Sequence, residues 1–76
     1  MIEEIKSLMA EVLNISLEEI TNDASPENTN NWDSIRHMEI LAKLEEKYSV
    51  KFDIDEMIEM MTLFSIAETL KKRLNG

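Results

Sequence analysis

The chain has no cysteine, one glycine, one proline and four aromatic residues in 76. Without cysteine there are no disulfides, no thiolate metal ligands and no cysteine nucleophile. One glycine and one proline supply too little turn chemistry for a string of hairpins, which excludes an all-β domain. No apolar run approaches the roughly 18 residues that a bilayer-spanning helix requires, and no signal-peptide pattern opens the sequence. Positive charge is also scarce: 8 Lys+Arg against 16 Asp+Glu leave a net charge of −8. Phosphate backbones and anionic lipid surfaces repel such a chain, so nucleic acid and membrane are excluded as expected partners. Basic patches on other proteins are favoured instead, since opposite potentials speed and orient encounter.

What is present is helical. The hydrophobic fraction of 43% is enough to fold, and the length corresponds to one domain, residues 1–76, expected to be soluble, cytoplasmic and monomeric. Ile2, Ile5, Met9 and Val12, with Leu8 beside them, recur at helical spacing, and Glu3, Glu4, Lys6, Ser7 and Glu11 take the other face. Ser16–Glu19 has the form of a capping box and predicts a short turn carrying Leu17 and Ile20. Residues 21–31 are polar and asparagine-rich, a loop. Asp33 is the expected N-cap of a second helix running to about Tyr48. A connection over 49–52, extended at Val50, leads to a short helix from Asp53 to about Met60. Thr62 then caps a last helix on which Leu63, Ile66, Ala67, Leu70 and Leu74 share a face, with Lys71, Lys72 and Arg73 near its end. The expected fold is all-α, a four-helix bundle of three main helices plus one short third helix.

The second helix has two apolar stripes. Ile40, Leu41, Leu44 and Tyr48 gather on one side, with His37 among them, and that side is the core face. Ile35, Met38 and Ala42 form a separate stripe flanked by Glu39, Glu45 and Glu46. A small bundle buries only part of one helix, so an accessible apolar strip rimmed with acids is expected, and such a strip is a docking surface. Ser34 stands at its head, in the first turn, where unpaired N–H groups and the helix dipole favour a phosphate. The spacing alone equally fits a serine that assists Asp33 in capping. Met57, Met60 and Met61 make the third helix methionine-dense, suited either to ordinary packing or to an adaptable space for a bound chain. Ser34 and His37 lie three apart, but no orienting third group accompanies them, so His37 is read as a core histidine and not as a hydrolytic base. Asp53, Asp55, Glu56 and Glu59 lack the calcium-loop spacing, and no metal is expected.

The segment Asn31-Trp32-Asp33-Ser34-Ile35-Arg36-His37-Met38-Glu39-Ile40 resembles the modification site of acyl carrier proteins. In that family a D-S-[Leu/Ile/Met] motif opens the second helix. Leu44-Glu45-Glu46-Lys47-Tyr48 is similar to the family's helix end, and Thr62-Leu63 with Ile66-Ala67 to the start of its last helix. Glu11-Val12-Leu13 and Leu17-Glu18-Glu19-Ile20 extend the likeness upstream, so nearly the whole chain is covered. Asn31 stands where the family usually has glycine, and asparagine is the best other residue for a positive φ. Arg36 and Asp53 also depart from the usual pattern, the first standing where carriers of fatty-acid type have an acid.

The resemblance implies that Ser34 carries covalent 4′-phosphopantetheine and that Asp33 helps present it. It implies no catalysis by the chain itself. Ile35, Met38, Glu39, Ala42, Glu45 and Met57 would meet the partners: a phosphopantetheinyl transferase, then acyl-loading and acyl-transferring enzymes with basic docking patches. Fatty-acid and polyketide synthesis both fit, and a peptidyl or aminoacyl carrier shares the motif. Outside the class, the composition also fits an unmodified acidic interaction module.

Overall fold

A computed structural model describes residues 1–75. Four α-helices follow in order, with no strand among the described residues: α1 Ile2–Leu13, α2 Ser34–Tyr48, α3 Ile54–Glu59 and α4 Leu63–Asn75, and a 3₁₀ turn over Leu17–Glu19. The apolar spacing decides which face each helix buries. Ile5, Met9, Val12 and Leu13 of α1 meet Ile40, Leu41 and Leu44 of α2 and Leu63, Ile66, Ala67 and Leu70 of α4 in one cluster, joined by Ile20, Ala24, Trp32, Phe52 and Met60. The expected short turn forms, as a 3₁₀ helix, with the Ser16 N–H and hydroxyl both donating to Glu19. Of its two apolar residues only Ile20 is buried; Leu17 stays 43% exposed. The connection expected over 49–52 follows α2. Ser49 turns left-handed at φ 55° to end the helix, and the Phe52 N–H donates to the Glu45 carboxylate at 2.8 Å.

The long polar loop between the 3₁₀ turn and α2 is ordered by its asparagines. Asn28 accepts from the Ser25 N–H at 2.8 Å and donates to the Asp23 carbonyl at 3.0 Å. Asn30 donates to Glu19, and Asn31 donates to the Leu13 carbonyl at 2.9 Å, tying the loop to the end of α1. The Leu63 N–H donates to the Ala24 carbonyl at 3.0 Å, fastening the loop to α4 as well. A polar segment with its backbone satisfied in this way can hold a fixed path without being buried.

The short α3 depends on caps and charge more than on packing. Asp53 accepts from the Glu56 N–H at 2.8 Å, and Glu56 accepts from the Asp53 N–H at 3.0 Å, a reciprocal box. Arg73 of α4 donates to both oxygens of Glu56 and lies 3.5 Å from Asp53. That guanidinium, with the Asp53 backbone N–H, holds the Glu56 carboxyl below the usual carboxylate range. Two of the acids considered for a cation are thereby taken up inside the fold. The start of α4 has a similar box, in which the Thr62 hydroxyl accepts from the Ser65 N–H at 3.0 Å.

Candidate functional site

Ser34 is exposed and is the first residue of α2. Three residues before it set its position. Asn31 adopts φ 68°, the left-handed conformation expected from its place in the sequence. Trp32 turns inward and is buried. Asp33 is extended and caps the helix, its carboxylate accepting from the Arg36 N–H at 2.8 Å. The His37 N–H begins the helical ladder by donating to the Asp33 carbonyl at 2.8 Å. The Ser34 and Ile35 N–H groups thus belong to the first turn, which a helix cannot satisfy internally. They give the surroundings of Ser34 a partial positive charge.

The two stripes of α2 separate as their spacing predicts. His37, Ile40, Leu41 and Leu44 are buried, whereas Ile35 is 72% exposed, Met38 is 51% exposed and Ala42 is also exposed. Glu39 lies beside the stripe, 4.0 Å from Arg36. Glu45 is less available: it is half-buried and its carboxylate holds the Phe52 N–H. Arg36 is turned back toward α1, donating to the Val12 carbonyl at 3.0 Å.

Between α2 and α3 lies a groove of about 540 Å³ lined by Pro26, Asp33, Ser34, His37, Met38, Ile54, Met57, Ile58 and Met61. Of the three methionines, Met57 and Met61 line it, whereas Met60 is wholly buried in the core. Ile54 and Ile58 were missed by the sequence reading, although their spacing of four on a short helix, with Met61 three further on, is the signal of a shared face. Both are largely exposed. A second groove, of about 870 Å³, runs between α1 and α4 and shares no lining residue with the first.

His37 is the one buried polar side chain in the Ser34 groove, 6% exposed. Its Nδ1 accepts from Trp32 Nε1 at 3.0 Å, and the two rings stack 5.8 Å apart between centroids. Its other nitrogen, Nε2, is buried without a hydrogen-bond partner. The Met57 backbone lies near enough to favour a proton on the ring, yet does not complete a hydrogen bond. Burial outweighs that effect and pulls the His37 pKa below its ordinary value. The ring is therefore neutral near pH 7. With Nδ1 engaged as an acceptor and no acid to orient it, His37 is not a base for Ser34, in keeping with the core assignment; its unpaired Nε2 is the part that the sequence did not reveal.

The family model for the phosphopantetheine attachment site matches residues 3–70 of the chain. Polyketide-8 synthase acyl carrier protein 2 of Streptomyces avermitilis is 31% identical over 72 residues, which span 95% of this chain and 83% of that protein. A holo acyl carrier protein from Geobacter metallireducens, solved by NMR in solution, superposes with a TM-score of 0.86 at 23% identity, covering 97% of this chain and 85% of that one. A chain in the structure of the ishigamide ketosynthase/chain length factor gives a TM-score of 0.75 at 20% identity, covering 99% and 94%. The two structural likenesses establish the shared fold.

Proposed function

Because the chain belongs to the phosphopantetheine attachment family, and within it to the acyl carrier proteins, we propose that Ser34 Oγ is the atom to which its 4′-phosphopantetheine arm is joined. The arm ends in a thiol and supplies the thioester that holds an acyl group. The protein is a carrier and not an enzyme. The observation that supports Ser34 is its placement: an exposed hydroxyl in the first turn of α2, at the head of the exposed stripe and on the wall of the groove.

The surroundings fit the group. A phosphodiester at Ser34 meets the unsatisfied N–H groups of the α2 start, and the capping carboxylate of Asp33 is directed at the Arg36 N–H. The apolar walls of Met38, Ile54, Met57, Ile58 and Met61 suit a hydrocarbon chain beside it. In the transfer, Ser34 Oγ forms a bond to the pantetheine-bearing phosphorus of coenzyme A. The phosphoanhydride bond breaks, adenosine 3′,5′-bisphosphate leaves, and the serine proton goes to a base of the transferase.

Carriers of this kind work with biosynthetic enzymes. Here the partners are a phosphopantetheinyl transferase and acyl-loading and acyl-transferring enzymes that present basic patches to the acidic surface. Ile35, Met38 and Ala42 supply the apolar contact, with Glu39 and Met57 beside them; Glu45 contributes less, since its carboxylate is occupied. Contacts of this size release readily, as a shuttle requires. The likeness to a polyketide carrier supports a load made by repeated condensation. The chain acts as a monomer.

Intact mass after incubation with coenzyme A and a broad-specificity transferase tests the reading. The mass should rise by one phosphopantetheine. An unchanged mass would point to an unmodified interaction module. Loading with malonyl, fatty acyl and aminoacyl donors then separates polyketide, fatty-acid and peptidyl use.

A further inference from the structure

We propose, on the reading of Ser34 as the attachment point, that Arg36 and Asn31 are positioning residues for it, a two-armed brace that fixes the start of α2 against the end of α1. Helix α1 ends at Asn14, which is left-handed and donates its N–H to the Ala10 carbonyl. The Val12 and Leu13 carbonyls belong to the last turn of α1, where the helix has no N–H groups left to meet them. Each receives a side chain from the Ser34 segment instead. Asn31 Nδ2 donates to the Leu13 carbonyl at 2.9 Å, and Arg36 Nη1 donates to the Val12 carbonyl at 3.0 Å. One donor stands three residues before Ser34 and the other two residues after it.

The chemistry of each arm suits its carbonyl. The C-terminal end of a helix carries partial negative charge, which a guanidinium complements, and a charged donor makes the stronger hydrogen bond. Glu39 lies 4.0 Å from Arg36 Nε and draws on the guanidinium from another edge. Asn31 combines a backbone turn at φ 68° with an amide that reaches α1. Neither the glycine nor the acid that the resemblance leads one to expect at these two positions could donate either bond. The end of α1 is itself fixed, since Met9, Val12 and Leu13 sit in the core cluster. The brace therefore ties both flanks of Ser34 to the packed part of the bundle, whereas the Asp33 cap acts within α2 alone. Placement governs the chemical step, because misplacing a reacting atom by ~1 Å can cost about a hundredfold in rate. Arg36 thus acts through the position of Ser34 and not as a contact for a partner's surface.

Arg36→Gln removes one arm, and Asn31→Gly removes the other while keeping the positive φ that glycine tolerates. The first also alters the net charge and the second does not, so a change common to both is not an effect of charge. Denaturant titration establishes that each variant is folded; should Arg36→Gln not fold, Asn31→Gly decides alone. Single-turnover transfer from coenzyme A, with a broad-specificity transferase in excess and its concentration varied, then separates chemistry from binding. In both variants the limiting rate should fall about tenfold, with the half-saturating transferase concentration changed less than about twofold. The ¹H–¹⁵N signals of Ser34 and Ile35 should shift in both. A limiting rate at the wild-type value in the folded variants would overturn the proposal. So would a loss confined to the half-saturating concentration, which would make these residues docking contacts. Wild-type protein that gains no phosphopantetheine would refute the attachment point, and the brace with it, before any variant is compared.

Discussion

Ile35 and Ile40 are the same residue type on the same helix, five positions apart, and one is 72% exposed while the other is fully buried. Composition does not separate them; angular position does. Ile40 shares a face with His37, Leu41 and Leu44, and that face packs into the cluster formed with α1 and α4. Ile35 shares its face with Met38 and Ala42, and that face stays exposed. Covering one such side chain is worth roughly 1.5–3 kcal/mol. On the proposed function, the stability forgone on the exposed side is available instead for brief contacts with other proteins. One helix thus holds the bundle together with one stripe and leaves Ser34 and an apolar strip exposed on the other.

The contrast breaks first at Leu44. Leu44→Ala should destabilise the fold by about 2–5 kcal/mol, whereas Ile35→Ala should change stability by less than about 0.5 kcal/mol. Denaturant titration of both variants measures the difference, and equal costs would mean that the outer stripe is core. Next comes a separation of folding from docking. Met38→Glu should leave the melting transition nearly unchanged while slowing phosphopantetheine transfer about tenfold, roughly 1.4 kcal/mol of lost encounter stability. Unaltered transfer kinetics would remove Met38 from the docking strip.

These two faces were legible in the sequence because a helix converts spacing into direction without reference to the rest of the molecule. Asn31 was legible for a similarly local reason: few residues other than glycine tolerate its positive φ. The Asp33 cap needs only the three residues that follow it. Contacts that span the fold were hidden. His37 read as a core residue and Trp32 only as part of the motif segment, whereas the turn at Asn31 brings the indole onto the imidazole. Glu45 read as a free rim acid, but the chain returns after Ser49 and presents the Phe52 N–H to it. Arg73 read as a complement to the dipole of α4, yet it holds Asp53 and Glu56 of α3, 17 and more residues away. Ile54 and Ile58 were hidden for another reason: two apolar residues on a two-turn helix do not by themselves show which face is covered, and their exposure depends on what the other helices leave uncovered.

A smaller effect is expected at the boundary between the faces. Asp33→Ala removes the cap that sets where α2 begins and should cost about 1 kcal/mol, with slower transfer at Ser34 as a consequence. Transfer at the wild-type rate in a destabilised Asp33→Ala protein would show that the cap stabilises α2 without positioning the serine. The smallest effect concerns the inner face. His37 titrates lower in the folded protein than its ordinary 6.5, so as pH falls below that value the unfolded chain takes up a proton that the folded one does not. Its contribution to stability is therefore complete above 6.5 and declines toward acid, by no more than about 1.4 kcal/mol per pH unit. His37→Phe should flatten the fall in stability between about pH 7 and pH 5 relative to wild type. Parallel curves would mean that the histidine is not protected from protonation.

The central claim concerns one oxygen, and the chain offers six serines: Ser7, Ser16, Ser25, Ser34, Ser49 and Ser65. Fragmentation mass spectrometry of peptides from the modified protein distinguishes them directly. The account predicts the phosphopantetheine mass on Ser34 alone and no modification of a folded Ser34→Ala protein. The mass on any other serine, or its persistence in that variant, would contradict it.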